Sequence, residues 1–214
     1  MNNKTPRKLH LVDELRKLHA CRQEVIRRRL EEFSRVPPSE YFYELAYCLL
    51  TPQSSAFNCD RVVQFLRGCD FQRADIDPEP LLRQEHLYVR FHRTKARRLV
   101  ELKNRFPQVL AALTNGHDTR TLREWLVANV NGLGYKESTH FLRNIGHRGL
   151  AILDRHILNN LRRFGVIRTI PSTLSRVRYK EIEKKFMKFA EVVGIPMDEL
   201  DLLFWSMETG EVFR

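Results

Sequence analysis

At 214 residues the chain is long enough to bury a substantial core, as one domain or as two small lobes. Lysine and arginine number 37 against 26 acidic residues; the net charge of +11 favours a polyanion as partner, although an anionic membrane surface would suit the charge equally. No apolar run reaches the roughly 18 residues of a transmembrane helix, and MNNKTPRKLHLVDELRKL lacks the apolar stretch of a secretory signal, so the expected compartment is the cytoplasm.

Apolar residues recur at helical spacing throughout, without convincing strand alternation, which predicts an all-α fold. Leu11, Leu15, Leu18, Val25, Leu30 and Phe33 form one stripe on a first helix that ends at Pro37-Pro38. Ser39 and Glu40 start a second helix, closed by Thr51-Pro52, and Ser54 or Ser55 caps a third that runs to about Cys69. Shorter helices are predicted after Pro78, after Thr94 and after Pro107. Asp118 or Thr119 caps a helix carrying Leu122, Trp125, Leu126 and Val130, which leads into a glycine turn. Further helices begin near Lys136, at Asp154, after Pro171-Ser172 and after Pro196. Four cysteines, Cys21, Cys48, Cys59 and Cys69, form no C-x-x-C pair. They read as reduced, mostly buried thiols, and no metal or other cofactor is expected.

The segment from Val130 to Asp154, VNGLGYKESTHFLRNIGHRGLAILD, concentrates the chemistry. Gly132 and Gly134 flank Leu133 between two helical runs, where the turn can take positive φ and approach another surface closely. Such a turn aims amide N–H groups at the start of the next helix, a ready phosphate site. Lys136 follows in the first turn, where the helix dipole opposes a positive charge; an amine so placed gives up its proton more readily, and a neutral amine is a nucleophile. On the glycine triplet alone, a tight turn with a solvated lysine is the better explanation. Asp154, 18 residues beyond Lys136, directly precedes the amphipathic run Ile157, Leu158, Leu161 and Phe164. An N-cap is its plain role, compatible with a catalytic one because a carboxylate held by helix N–H groups stays anionic.

GLGYKESTHFLRNIG and AILDRHIL resemble the helix-hairpin-helix and the following aspartate of the base-excision DNA glycosylase superfamily. Within it the chain is most similar to the type 2 8-oxoguanine DNA glycosylase/lyases, with LLTPQSSA near the start and WSMETGEVFR at the end extending the match. The resemblance implies a bifunctional enzyme acting on double-stranded DNA that contains 8-oxoguanine or abasic sites, as a nucleoid-associated monomer without a membrane partner. It implies Lys136 as nucleophile at C1′ and Asp154 as its carboxylate partner. It further implies two helical lobes, 38–122 and 1–37 plus 123–214, with the helix-hairpin-helix at about 119–146 and the active-site cleft between the lobes. Endonuclease III-like members carry a cysteine cluster near the C-terminus, whereas this chain has no cysteine after Cys69.

The same resemblance suggests roles for further residues. Phe91 matches an aromatic that stacks on the extruded base, against the plain reading of a core anchor. Gln53 matches the polar residue inserted where the base has left, against that of a turn residue after Pro52. Trp205 and Arg214 match a tryptophan and a final lysine that read the base; arginine is a departure, and retains the terminal carboxylate without a compact ammonium. Gly132 and Gly134, with Arg155 and His156, are candidates for the DNA backbone. Arg90, Arg93, Lys95, Arg97 and Arg98 would add a salt-sensitive grip unless they form a solvated helix face. Two alternatives stay open: a related glycosylase for another lesion, and a helix-hairpin-helix DNA-binding module without catalysis.

Overall fold

The computed structural model describes residues 5–212, and among these ten α-helices account for the architecture without a strand. They are α1 (Thr5–Ser34), α2 (Tyr41–Leu50), α3 (Ala56–Gly68), α4 (Glu79–Leu82), α5 (His92–Thr114), α6 (Thr119–Asn129), α7 (Tyr135–Asn144), α8 (Arg155–Arg163), α9 (Arg176–Val193) and α10 (Met197–Thr209). The all-α expectation holds. None of these helices is long and apolar enough to cross a membrane.

Two compact units divide the chain: a central one, Val36–Ile145, and a terminal one, Met1–Arg35 with Gly146–Arg214. The whole hairpin region therefore groups with the central segment, whereas the sequence-based division assigned 123–145 to the terminal lobe. Packing accounts for the difference. Helix α7 lies against α2 as well as α6, so the hairpin's second helix shares the central core.

In the central unit α2 is that core's axis. Its sequence YFYELAYCLL is apolar nearly all round, and every residue from Phe42 to Leu50 is buried. A helix of this composition is stable only when enclosed, and α3, α5 and α7 enclose it. Glu44, the one acid on it, accepts a hydrogen bond from Asn144 Nδ2 at 3.0 Å. The two helices predicted after Thr94 and Pro107 are one, α5, with Pro107 inside it. Proline removes a single N–H, while Leu99, Leu102, Phe106, Val109 and Ala112 stay buried in helical register on both sides. Burial of that stripe outweighs the one lost bond.

In the terminal unit α10 packs on α1, α8 and α9. Leu200, Leu202, Leu203 and Phe204 are buried, and the Phe204 ring stacks on those of Phe164 and Phe186. On α1 the buried positions are Leu15, His19, Ile26, Leu30 and Phe33, with Val25 43% exposed. The predicted stripe thus slips by one residue at Val25, because spacings of four, seven, four and three keep Ile26 on the inner face. His19 Nε2 and Arg27 Nε meet the buried Glu199 at 2.6 and 3.1 Å, and Arg22 donates to Ser206 Oγ at 2.7 Å, fixing α10 in register along α1.

Candidate active site

The hairpin begins where α6 ends. Val130 is extended and buried, Leu133 anchors the turn inward, and the Leu133 amide donates to the Val130 carbonyl. Gly132 has φ +94°, and a Cβ there would meet the Arg98 side chain at 2.6 Å. The positive φ is what favours glycine, and the flexible Arg98 side chain lies directly over the turn. Gly134 does not share that positive φ. Its φ is −95° with ψ −172°, an extended N-cap, and its amide donates to Glu137 Oε2 at 3.2 Å. Of the amides predicted to receive phosphate, that of Gly134 is therefore already engaged. Glu137 stands at the third helical position, the capping-box site, and this signal was present in GYKE although sequence reasoning passed over it.

Glu137 also holds the lysine. Lys136 Nζ lies 3.1 Å from Glu137 Oε1, with the lysine side chain 26% exposed. The nucleophile candidate thus sits in the first turn of α7, half-buried, its amine paired with the adjacent carboxylate. Tyr135 donates to Glu124 Oε2 at 2.5 Å, and the buried Arg123 guanidinium stacks over the Tyr135 ring, so α6 and α7 are locked close to the turn.

Behind the hairpin lies a second amine. Lys95 was predicted to face DNA, but only 2% of it is exposed. Its ammonium donates to the carbonyls of Leu50 and Pro52 at 2.6 and 2.7 Å and to Ser54 Oγ at 2.9 Å. Those acceptors, at the negative end of α2, draw the lysine inward. Burial lowers the ammonium to about 8; the charges of Lys136 and Arg98 act in the same direction, against Cys59 and Glu137. Burial likewise pushes the Cys59 thiol up to about 12, so it stays protonated and unreactive. In the rest of the basic stretch Arg90, Arg93 and Arg97 are exposed, with Arg93 and Arg97 near Glu79 and Glu101.

Phe91 is not a core anchor. Its side chain is half exposed, the Arg90 guanidinium covers one face at 4.9 Å, and the ring lines an open concavity with Tyr88, His92 and Arg93. Its backbone is left-handed, φ +60° and ψ 35°, where it caps α5. Gln53 is exposed too and left-handed at φ +56°. Such conformations cost side chains on the order of 1–3 kcal/mol and gather at functional sites.

In the terminal unit Asp154 is the N-cap of α8, and its Oδ1 accepts from the Ile157 amide at 2.8 Å. The extended run before it is held on both sides. Tyr179 Oη donates to the Ala151 carbonyl at 2.6 Å and accepts from the Leu153 amide at 3.1 Å, while Glu183 accepts from the Ala151 amide at 2.9 Å. No local motif marks Tyr179 or Glu183, which lie more than 25 residues away on α9. Arg155 is exposed, His156 half-buried, and Trp205 half-buried on α10. Arg214 lies outside the described residues. The candidate residues therefore divide: Gln53, Phe91, Gly132, Gly134 and Lys136 belong to the central unit, Asp154, Arg155, His156 and Trp205 to the terminal one.

An all-helical chain in which a glycine hairpin delivers a first-turn lysine, followed by an aspartate N-cap, has the arrangement of the helix-hairpin-helix DNA glycosylases. The family model described as 8-oxoguanine DNA glycosylase matches residues 26–195, and the chain belongs to that family. A protein of Korarchaeum cryptofilum named 8-oxoguanine DNA glycosylase/AP lyase is 39% identical over 206 residues, 95% of this chain and 98% of its own length. One of the same name from Fusobacterium nucleatum is 37% identical over 94% of this chain and 97% of its length. The crystal structure of the Methanocaldococcus jannaschii 8-oxoguanine DNA glycosylase superposes with a TM-score of 0.88 at 32% identity, covering all of both chains. That glycosylase/lyase in complex with a 15mer DNA containing 8-oxoguanine gives a TM-score of 0.86 at 33% identity, over 96% of this chain and 100% of that one.

Proposed function

We propose that this protein is a bifunctional DNA glycosylase/AP lyase that removes 8-oxoguanine from double-stranded DNA in base-excision repair. The observation that carries this reading is the half-buried Lys136 in the first turn after the hairpin, in a chain with full-length relatives of that name. The target base lies inside the duplex stack and must be turned out before its glycosidic bond is reachable. Lys136 Nζ then attacks C1′, the base departs with the proton that the amine gives up, and sugar-ring opening leaves an iminium. Loss of a C2′ proton expels the 3′ phosphate by β-elimination. Asp154, whose carboxylate is held by the Ile157 amide, stabilises the positive charge that develops on the sugar and assists proton movement. Phe91, Trp205 and Arg214 read the extruded base, and Gln53 fills the space it leaves. The hairpin, Arg155 and His156 grip the backbone. The enzyme works as a monomer on nucleoid DNA, and abasic sites are substrates for its lyase step.

Borohydride reduction during incubation with DNA carrying 8-oxoguanine or an abasic site tests the reading. A covalent adduct that is lost in Lys136→Ala supports it. No adduct with either substrate, while DNA is still bound, leaves a binding module without catalysis.

A further inference from the structure

We propose that Lys95 is a positioning residue that locks two exposed, left-handed residues, Gln53 and Phe91, into one base-handling surface. This rests on the glycosylase/lyase reading above. In the sequence Lys95 looks like one more cation in a basic helix. In the structure it is withdrawn from solvent, and all three of its side-chain donors are used on the turn that carries Gln53, through the Leu50 and Pro52 carbonyls and Ser54 Oγ.

Its backbone serves the other residue. The Lys95 amide donates to the Phe91 carbonyl at 3.0 Å, closing the first turn of α5 directly after the left-handed position. Ser54 completes the link, because the same Oγ that accepts from Lys95 accepts from the Arg90 amide at 3.0 Å. Asn58 Nδ2 adds a bond to the Tyr88 carbonyl at 3.3 Å. A non-glycine residue stays left-handed only where its surroundings over-determine it, and here one lysine helps determine two such residues. Without its ammonium, the Leu50 and Pro52 carbonyls would lose their buried side-chain donor and Ser54 Oγ would keep only the Arg90 amide, the Gln53 turn would be free to relax, and Phe91 would lose its register to that turn.

The test compares two reactions in Lys95→Met, which keeps the stem and removes the donors. An abasic site offers no base to stack upon, so excision of 8-oxoguanine should fall by on the order of tenfold, the scale of one base–aromatic stack. Borohydride trapping on a preformed abasic site, where Gln53 still has a gap to fill but Phe91 has no base, should fall less than excision, by no more than about threefold. Hydrogen exchange at the Arg90 amide should accelerate, while α9 keeps its protection. Ser54→Ala cuts the link to Arg90 but leaves the two carbonyl bonds; it should move the same ratio and the same amide less far, and it decides the matter should Lys95→Met not fold. Equal losses in both reactions overturn the proposal in favour of a general structural or electrostatic role, as does an unchanged Arg90 amide. A wild-type protein that forms no adduct at an abasic site overturns the parent reading, whereas a shifted ratio with normal wild-type trapping bears on Lys95 alone.

Discussion

Replacing Asp154 by asparagine separates the two roles assigned to that side chain. Structurally Asp154 does one thing in its helix: Oδ1 accepts from the Ile157 amide at 2.8 Å. Asparagine is as good an N-cap as aspartate, so that bond survives. What disappears is a negative charge at a helix N-terminus, worth about 0.3–1 kcal/mol. Asp154→Asn should therefore lose less than about 1 kcal/mol, a fall of no more than roughly 2–4 °C in Tm for a chain of this size. Asp154→Ala loses the cap as well and should cost about 1 kcal/mol more. Catalysis should respond very differently. Removing a group that stabilises the sugar cation and moves a proton costs about 10²–10⁴ in rate, which is about 3–5 kcal/mol of transition-state stabilisation. Single-turnover excision from an 8-oxoguanine duplex, alongside thermal unfolding of both variants, measures the two effects. Asp154→Asn excising within a few-fold of wild type removes the carboxylate from the mechanism. If it instead unfolds as readily as Asp154→Ala, the capping argument is wrong.

Other outcomes follow from the same geometry. Phe91→Ala should leave stability nearly unchanged, since the ring is half exposed, yet lower kcat/KM on 8-oxoguanine DNA by about 5- to 150-fold, the equivalent of one lost stack; steady-state kinetics with a denaturation curve checks this. The Lys95 ammonium sits at about 8 when folded against 10.5 when unfolded, so between those values the unfolded chain carries a proton that the folded one lacks, and stability rises with pH. Wild type should thus gain on Lys95→Met across that window, by at most about 3 kcal/mol at about 1.4 kcal/mol per pH unit. Cys59, pushed up from 9.0 to about 12 and itself coupled to Lys95, acts with the opposite sign above 9.0, so urea titrations at pH 7.5 and pH 9.0 read the lysine before the thiol contributes much. Arg93→Ala and Arg97→Ala should each lower the slope of log affinity against log salt by about 1 if the side chain contacts phosphate, in fluorescence anisotropy over a salt series. Gly132→Ala forces Arg98 aside at a φ of +94°, and should weaken DNA binding and lower Tm together in the same assays.

Local chemistry was legible along the chain because it depends on neighbours a few residues apart. The helices, the Asp118 and Asp154 caps, the Gly132 turn and a lysine in the following first turn all follow from spacing and side-chain type. Family membership was legible for the same reason, since the hairpin and the downstream aspartate form short contiguous motifs. Tertiary structure decided whatever depends on burial and on distant partners. A basic stretch reads as one charged face, yet three oxygens some 41–45 residues away turn Lys95 inward. Phe91 reads equally as core or surface, and only its position against Arg90 and the solvent makes it surface. Pro107 reads as a break, and the stripe it interrupts keeps the helix whole. Tyr179 and Glu183 steady the approach to Asp154 from another helix, a contact that hydrophobic period cannot encode because it depends on how two elements pack.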